Sequence, residues 1–297
     1  MTPALIAIDW GTTSFRAWAL DAGGAVLAET RDGPGILAVP DGDFDVAFEA
    51  ALGAWADSGA PIIAAGMITS RNGWVETPYL PLPLDAAALA GALTQHRTRN
   101  GRVIHFVTGA ASQPDGPFPD VMRGEETELI GQIEAGVTEG LFVLPGTHSK
   151  WVQVAGGAII AFQTCMTGEA FAVLHGHSIL GRLSQPGPAS EAAFLRGVAA
   201  AKAPGALMAR AFSARSLVLF GHLAPAEVGD YLSGLLIGDE IRAGIASHAG
   251  PVTLIGRGDL VDRYGRALAA FGIAARIAPE GMNRRGLLAV ARIGGLT

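Results

Sequence analysis

The segment from Leu5 to Thr30 constrains the fold of this chain more than any other. An apolar run reaches Asp9, a polar turn follows over Gly11 to Ser14, and an alternating run leads through Gly23-Gly24 into a third run. This order predicts three antiparallel strands joined by two tight turns. A carboxylate at the end of a buried strand is costly unless it is used, and the adjacent turn offers backbone N–H groups and hydroxyls. The combination is typical of a site for a phosphate and its magnesium ion.

The same order of elements begins again at Leu141. An apolar run, the turn Pro145 to Ser149, an alternating run and the glycine pair at 156–157 precede a third strand. The segments in matching places are Gly11-Thr12-Thr13-Ser14 and Gly146-Thr147-His148-Ser149. A single Gly-Thr hairpin can be an ordinary turn, but its repetition favours two similar domains that hold a polyphosphate between their turns.

Further segments carry a resemblance to a known family. They are Gly66 to Trp74, Met122 to Glu128, Leu144 to Trp151 and Met166 to Glu169. With Asp9 to Arg16, they make the chain resemble the 2-dehydro-3-deoxygalactonokinases of the sugar kinase, chaperone and actin superfamily. The resemblance implies an α/β fold of two ribonuclease H-like (actin-like ATPase) domains, 1–136 and 137–297, with mixed sheets flanked by helices and an interdomain cleft. It also implies phosphorylation of the 6-hydroxyl of 2-dehydro-3-deoxy-D-galactonate by ATP, in galactonate breakdown.

The predicted phosphate site combines one acid with backbone groups of both turns. Asp9 would support Mg²⁺, directly or through water. The backbone groups expected to hold the phosphates belong to Gly11, Thr12, Thr13, Gly146 and Thr147. Lys150 would neutralise phosphate charge, and the alternative is a lysine on an exposed strand face.

A second nucleotide segment lies near the C-terminus. Val252 to Asp259 predicts a strand that ends in a Gly-x-Gly turn, followed by a helix from Leu260 to Phe271. In the superfamily a similar turn receives the adenosine, which implies that role for Gly256 and Gly258. The chain contains no Gly-x-x-x-x-Gly-Lys-[Ser/Thr] segment, and this excludes a P-loop kinase.

Acidic residues begin a predicted helix after Gly124. Acids in a first turn are favoured by the helix dipole, and this accounts for at least one of them. In related sugar kinases an acid at this place takes the proton of the sugar hydroxyl. The segment can be aligned in more than one way, so Glu125 is the first candidate for the general base and Glu126 the second.

The substrate is expected at the loop that follows a buried strand, Ile62 to Ile68. Loops at strand ends collect ligands in open α/β sheets. Arg71 is the candidate for the sugar-acid carboxylate because its planar fork holds two oxygens at once, and a solvated loop arginine is the alternative. Ser70, Trp74 and Arg16 complete the predicted substrate contacts.

Several other elements follow from local patterns. Phe44 to Ser58 has the periodicity of an amphipathic helix, Ala86 to His96 is rich in helix-favouring alanine, and Gly109 to Asp120 has the prolines of a loop. Ala224 to Ala246 predicts a long helix.

Composition excludes several classes of protein. The net charge of -6 argues against a nucleic-acid partner, and no apolar run approaches the roughly 18 to 20 residues that cross a membrane. The single cysteine, Cys165, excludes an internal disulfide and fits a reducing compartment, so we expect the cytoplasm. The expected partners are ATP and a small sugar acid, and a homodimer stays open. The alternatives are a kinase for another sugar acid, ketose or polyol, and a non-catalytic actin-like nucleotide switch.

Overall fold

The computed structural model describes residues 2–246 and 250–297. Within these ranges the strands are β1 (Leu5–Trp10), β2 (Phe15–Leu20), β3 (Val26–Thr30), β4 (Ile62–Ala65), β5 (Tyr79–Pro81), β6 (Thr94–Arg97), β7 (Val103–Phe106), β8 (Gly109–Ser112), β9 (Asp120–Met122), β10 (Gly140–Leu144), β11 (Ser149–Ala155), β12 (Ala158–Cys165), β13 (Val252–Leu254) and β14 (Ala275–Ile277). The helices are α1 (Phe44–Leu52), α2 (Ala86–Gly91), α3 (Glu125–Glu134), α4 (Thr167–His177), α5 (Glu191–Ala201), α6 (Leu207–Ala211), α7 (Ser213–Leu219), α8 (Val228–Gly244), α9 (Gly258–Ala270) and α10 (Met282–Ile293).

The described strands form mixed sheets. The largest has the order β3-β2-β1-β4-β7-β6, in which β1 runs antiparallel to β2 and parallel to β4. A second has the order β12-β11-β10-β13-β14, and a three-stranded sheet has the order β5-β8-β9. In the first of these sheets the strands of the predicted repeat lie in the order β3-β2-β1, and β4 lies parallel to β1. In the second they lie in the order β12-β11-β10, and β13 lies parallel to β10. The predicted repetition of strands is therefore confirmed, and so is the α/β class with mixed sheets flanked by helices.

The chain divides into two compact units. The first extends to Glu139 and adds Gln153–Phe162 and Pro279–Thr297, and the second comprises Gly140–Val152 and Gln163–Ala278. The expected boundary between 136 and 137 lies close to the end of the first segment at Glu139. The expected range 137–297, however, places the C-terminal helix in the second domain. That helix, α10, packs against α3, β1 and β4 of the first unit.

Glycines allow the close packing of α10 on α3. A Cβ atom added at Gly131 would lie 1.9 Å from the carbonyl oxygen of Met282, and one at Gly286 would lie 1.9 Å from that of Thr127. No real Cβ atom comes so close to a carbonyl oxygen, so the two helix backbones meet only because these positions lack side chains. The contact places the start of α10 against the second half of α3, and the interior of α10 against the start of α3.

The core of the first unit packs aromatic rings against one side of the large sheet. The ring of Trp10 on β1 meets the rings of Phe15, Phe44 and Trp74 edge to face, with centroids between 4.9 and 6.3 Å apart. Such pairs add to the stability that burial of the rings provides. The end of β1 is therefore anchored in this core by Trp10.

Three predicted elements need correction. The helix expected over Ala86 to His96 ends at Gly91, and Thr94–Arg97 instead forms an edge strand antiparallel to β7. Gly109 to Asp120 begins as the buried strand β8 rather than as a loop. The helix expected from Phe44 to Ser58 ends at Leu52 and continues as a short 3-10 helix.

The long helix expected within Ala224 to Ala246 is present as α8, and α9 covers the expected helix from Leu260. In residues 2–246 and 250–297, no helix combines the length and the apolarity of a membrane span.

Candidate active site

Asp9 lies at the carboxyl end of β1, between its partners Arg16 on β2 and Ala65 on β4. Its Oδ2 accepts a hydrogen bond of 2.9 Å from Nδ2 of Asn283, the second residue of α10. Burial raises the pKa of the Asp9 carboxyl, while the Asn283 hydrogen bond and the charge of Arg16 act in the opposite direction. The negative charge of Glu125 raises this pKa further. An acid and its hydrogen-bond donor therefore meet at the end of the central strand.

The first predicted phosphate turn follows Asp9 directly. The N–H of Gly11 donates to the carbonyl of Ser14 at 2.8 Å, and the carbonyl of Gly11 accepts from the N–H of Ile36 at 3.0 Å. A Cβ atom at Gly35 would lie 2.4 Å from the backbone of Thr13, so a second glycine is needed beneath the turn. Thr13 itself is exposed. The turn is thus supported on its protein side, with its outer side open to solvent.

Two glycines bring the start of α3 and the loop after β4 to the same place. A Cβ atom at Gly66 would lie 3.2 Å from Oδ1 of Asp9 and 2.8 Å from the carbonyl oxygen of Trp10. One at Gly124 would lie 3.2 Å from Cα of Gly66, and both glycines have positive φ. The predicted substrate loop, the predicted base helix and Asp9 therefore converge in the first unit.

The acids of α3 have different surroundings. Glu126 has no exposed surface, and both its carboxylate oxygens accept from the N–H of Gly124, at 2.9 and 2.8 Å. Burial, followed by the charge of Glu125, raises the pKa of Glu126 to about 8. Glu125 is half-buried, and its Oε2 accepts from the N–H of Arg123 at 2.9 Å. Of the two candidate bases, Glu125 is the one with access to solvent.

Glu128 joins the site as an acid that the sequence interpretation did not select. Burial raises the pKa of Glu128 to about 7, with further increases from the charges of Asp9 and Glu125. These charges act on one another strongly only at short range. The spacing of three residues from Glu125 puts Glu128 on the same helix face, and this spacing could have identified it. Asn283 had no comparable local signal, because it lies 274 residues from Asp9 along the chain.

The loop after β4 carries two of the predicted substrate contacts. Ser70 is buried, and its Oγ donates to the carbonyl of Met67 at 2.6 Å. Arg71 is exposed, and across residues 2–246 and 250–297 it has no hydrogen-bond acceptor, ion-pair partner or stacked ring. Its guanidinium therefore keeps its donors available to a ligand.

The other two predicted contacts differ in surroundings. The Trp74 ring is half-buried and stacks on Phe44, with centroids 6.2 Å apart, so it belongs to the aromatic core. Arg16 is exposed, and its charge lowers the pKa of both Asp9 and Glu128. A role for either residue in substrate binding stays a prediction.

The second phosphate turn is supported from within the second unit. The N–H of Glu169 donates to the carbonyl of Thr147 at 3.0 Å, and a Cβ atom at Gly168 would lie 2.5 Å from the carbonyl oxygen of Gly146. Glu169 also pairs through Oε2 with Nε2 of His148 at 2.5 Å. The start of α4 thus packs directly against this turn.

A buried carboxylate holds the strand behind the second turn. Oε2 of Glu240 accepts from the hydroxyls of Ser149, at 3.0 Å, and Tyr264, at 2.7 Å, while Oε1 accepts from Nε1 of Trp151 at 2.7 Å. Burial raises the pKa of Glu240, and its hydrogen bonds with Thr167, Trp151, Tyr264 and Ser149 oppose the increase.

Lys150, on the same strand, is 5% exposed, so its interpretation as a lysine on an exposed strand face is wrong.

The predicted adenosine turn lies beside the second phosphate turn. Strands β10 and β13 are parallel neighbours, and the N–H of Ile255 donates to the carbonyl of Val143 at 2.9 Å. A Cβ atom at Gly256 would lie 3.7 Å from the carbonyl oxygen of Pro145. Gly258 begins α9. The second unit therefore brings together Gly146, Thr147 and the predicted adenosine glycines.

Known proteins match this chain over most of its length. The model of the 2-keto-3-deoxy-galactonokinase family matches residues 9–290. A probable 2-dehydro-3-deoxygalactonokinase of Rhizobium meliloti (strain 1021) is 38% identical, over 96% of each chain. The 2-dehydro-3-deoxygalactonokinase of Escherichia coli (strain K12) is 34% identical, over 92% of this chain and 91% of the relative.

Solved structures extend the comparison to the fold. A crystal structure from Sinorhizobium meliloti, provisionally assigned as a 2-dehydro-3-deoxygalactonokinase, is 37% identical, with a TM-score of 0.88 over 97% of this chain and 98% of that chain. Component A of the (R)-2-hydroxyglutaryl-CoA dehydratase of Acidaminococcus fermentans shares the fold alone, at 15% identity and a TM-score of 0.50 over 97% and 96% of the two chains. By its sequence and its structure, this chain belongs to the 2-keto-3-deoxy-galactonokinase family.

Proposed function

We propose that this chain is an ATP-dependent sugar-acid kinase. It transfers the γ-phosphoryl group of ATP to the 6-hydroxyl of 2-dehydro-3-deoxy-D-galactonate and forms 2-dehydro-3-deoxy-6-phosphogalactonate and ADP. Family membership and the named relatives support the choice of substrate. The observation that carries the chemistry is the convergence of Asp9, the start of α3 and the loop of Arg71 at the end of β1.

Glu125 is the proposed general base. A sugar hydroxyl is a poor nucleophile, so a carboxylate must accept its proton as the oxygen bonds to the γ-phosphorus and the bond to the β-phosphate oxygen breaks. The half-buried carboxylate of Glu125 is held at Oε2 by the N–H of Arg123, and Oε1 is the oxygen we assign to the hydroxyl. Glu126, with both oxygens turned to its own helix start, is assigned to holding that start in place.

Arg71 is the proposed partner of the sugar-acid carboxylate. Its exposed guanidinium offers two parallel N–H donors, which match the two oxygens of a carboxylate. Ser70, Arg16 and Trp74 stay in the proposal as neighbouring contacts. Because a neutral sugar cannot use this charge-assisted pair, we expect selectivity for acids over neutral sugars of about tenfold or more.

Asp9 fits a magnesium ion shared with ATP phosphates. No group of three or more His, Cys, Asp and Glu side chains in the described part of the chain could hold a metal ion by itself. Mg²⁺ at a nucleotide site needs only one or two carboxylates, since phosphates and water supply the remaining oxygens. Oδ2 of Asp9 bonds Asn283, and the charge of Glu125 adds negative potential that a cation would relieve. Bound there, Mg²⁺ would neutralise charge on the transferred phosphoryl group.

The remaining nucleotide contacts are proposed as the family resemblance implies them. Backbone groups of Gly11, Thr12, Thr13, Gly146 and Thr147 would hold the phosphates, Lys150 would contribute positive charge, and Gly256 and Gly258 would line the adenosine pocket. The positive end of α9, which begins at Gly258, favours negative charge nearby.

An ADP-release assay tests the proposed activity. The purified chain is supplied with ATP, MgCl₂ and a panel of aldonates, 2-keto-3-deoxy acids and neutral sugars. We expect the fastest turnover with 2-dehydro-3-deoxy-D-galactonate, and mass spectrometry of the product should show one added phosphoryl group. Equal rates on neutral sugars would contradict acid selectivity. ATP binding without ADP release on any sugar would instead favour a nucleotide switch.

Glu125→Gln tests the mechanism, with Glu134→Gln at the exposed far end of α3 as the matched control. Removing the base should lower kcat by at least about 100-fold, within the usual contribution of general-base catalysis. ATP affinity, measured by calorimetry, should not change. The assignment fails if Glu125→Gln keeps kcat within about tenfold of the control.

A further inference from the structure

Arg123 is a buried arginine that the mechanism so far uses only through its backbone. It is 8% exposed and lies two residues before Glu125, the first residue of α3. Nη1 donates to the carbonyl and the hydroxyl of Thr69, at 2.6 and 2.7 Å, and to the hydroxyl of Thr77 at 2.6 Å. Nη2 donates to the carbonyl of Thr77 at 2.9 Å. The guanidinium also stacks on the ring of Tyr79, with Cζ 4.2 Å from the centroid.

These contacts join the two ends of the loop 69–77. Its end residues are Thr69 and Thr77, and the N–H of Thr77 donates to the carbonyl of Thr69 at 3.1 Å. Inside the loop, the N–H of Trp74 donates to the carbonyl of Ile68 at 2.8 Å. Arg71 lies between the two threonines. A guanidinium that binds both ends therefore limits the positions that Arg71 can reach.

The acceptors around Arg123 are unusual for a buried charge. Buried arginines are normally paired with carboxylates, because removing an unpaired charge from water is costly. Here the acceptors of the side chain's hydrogen bonds are carbonyls and hydroxyls of Thr69, Thr77 and Tyr79. They engage all three nitrogens of the guanidinium, with Nη1 shared among three acceptors, and a lysine ammonium could not reproduce that planar arrangement. The site is therefore built for arginine.

The backbone of the same residue reaches the proposed base. The N–H of Arg123 donates to Oε2 of Glu125 at 2.9 Å, while its side chain holds the loop of Arg71. One residue thus links the group that would accept the hydroxyl proton to the group that would bind the carboxylate at the other end of the sugar acid. The distance between those two groups decides which hydroxyl lies beside the base.

We propose that Arg123 is a positioning residue, which sets the distance between Arg71 and Glu125 and thereby aligns the 6-hydroxyl of the sugar acid with the base. The proposal rests on the function proposed above. A misplacement of about 1 Å can lower the rate of a bimolecular enzyme reaction by about 100-fold, since reacting atoms must lie within a narrow range. ATP does not depend on this loop in the proposal, so its binding should be unaffected.

The test compares Arg123→Met and Arg123→Lys with Arg102→Met. Arg102 is a suitable control because it is another partly buried arginine of the same unit, held by Glu49, Asp57 and the carbonyl of Ala56. Both Arg123 variants should lower kcat/KM for the sugar acid by about 30-fold or more, with the KM for ATP within about twofold of wild type. The Lys variant should resemble the Met variant, because lysine keeps the positive charge but lacks the planar guanidinium with its several N–H donors. Arg102→Met should lower Tm without this kinetic change.

A purely structural role makes a different prediction. If the Arg123 variants lower Tm as Arg102→Met does, while kcat/KM of the folded enzyme stays within about threefold of wild type, the proposal is wrong. If Arg123→Met does not fold, Thr77→Val provides the test, because it removes one acceptor with little change of shape. It should raise the KM for the sugar acid several-fold, and an unchanged KM would overturn the proposal.

Hydrogen–deuterium exchange separates this proposal from the proposed function. Amides of residues 68–77 should exchange faster in Arg123→Met than in wild type or Arg102→Met. If wild type phosphorylates no sugar acid but this difference in exchange appears, the proposed kinase function is wrong, while Arg123 still holds residues 68–77 in place. If wild type is an active sugar-acid kinase and exchange does not change, Arg123 does not hold the loop and the positioning role fails.

Discussion

Replacing Glu126 by Gln should change how the stability of this protein depends on pH. Glu126 has no exposed surface, and burial raises its pKa from an ordinary value of 4.5 to about 8. Between these two values the folded protein binds a proton that the unfolded chain has released. The free energy of unfolding must therefore fall as pH rises through this window.

The size of the effect follows from the width of the window. Each pH unit between the two pKa values lowers the free energy of unfolding by about 1.4 kcal/mol, which gives a total on the order of 3 to 5 kcal/mol for Glu126. Glutamine cannot ionise, so Glu126→Gln removes this contribution. Glu128, whose pKa is raised to about 7, remains in both proteins and cancels when the two are compared. At pH 5, where Glu126 of the folded protein is neutral like the glutamine and little of the window has been crossed, the two proteins should be similar in stability.

Urea unfolding at several pH values between 5 and 8.5 measures the difference directly. The free energy of unfolding of wild type, relative to that of the variant, should fall by the stated amount across the series. A stability difference that is the same at every pH would only report how well the amide replaces the carboxyl, since both Glu126 oxygens accept from Gly124 in wild type. If the difference changes by less than about 0.5 kcal/mol across the pH series, the reasoning is refuted, because Glu126 would then ionise with its ordinary pKa.

Two further predictions concern the same unit. Asp9→Asn should lower kcat by at least about 100-fold in the ADP-release assay, because the charge proposed to support Mg²⁺ is lost, while Tm at pH 7.5 should not fall, because a buried charge is removed. Gly286→Ala should lower the free energy of unfolding by about 1 to 3 kcal/mol, since the new Cβ would lie 1.9 Å from the carbonyl oxygen of Thr127. Gly265→Ala on α9 is its control and should be neutral or stabilising by up to about 1 kcal/mol, because the nearest atom would lie 3.8 Å away. Equal denaturation midpoints for the two alanine variants would contradict the close packing of α10 on α3.

Local sequence patterns predicted the elements whose partners are close in the chain. The strands around Asp9 show the apolar runs and turn residues that such a meander requires, and their repetition near Leu141 was visible without coordinates. The helix predicted over Ala86 to His96 failed in its second half because Thr94–Arg97 pairs with β7 at the sheet edge. Intrinsic helix propensity, even that of alanine, is a weak preference, and a strand partner can override it.

The candidate site was predictable only in part, for the same reason. Asp9, Glu125 and Arg71 each stand beside a local signal, namely a strand end, a helix start or a loop. The contact between Asp9 and Asn283 depends on the path of 274 residues between them, and no local pattern records it. The burial of Glu126 was likewise invisible, because neighbouring acids at a helix start look alike until the packing of that helix is known.

The acids at the end of β1 are unfavourable for folding, and their arrangement is best explained by function. Burial raises the pKa of Asp9 and Glu128, the charge of Glu125 raises both further, and the charge of Asp9 also raises the pKa of Glu128. Asn283 offsets part of that cost at Asp9, as does the charge of Arg16. A protein selected for stability alone would replace such acids with neutral side chains, since buried like charges gain nothing in the folded state. Their presence fits a site that must present negative charge to a cation and a carboxylate to a hydroxyl.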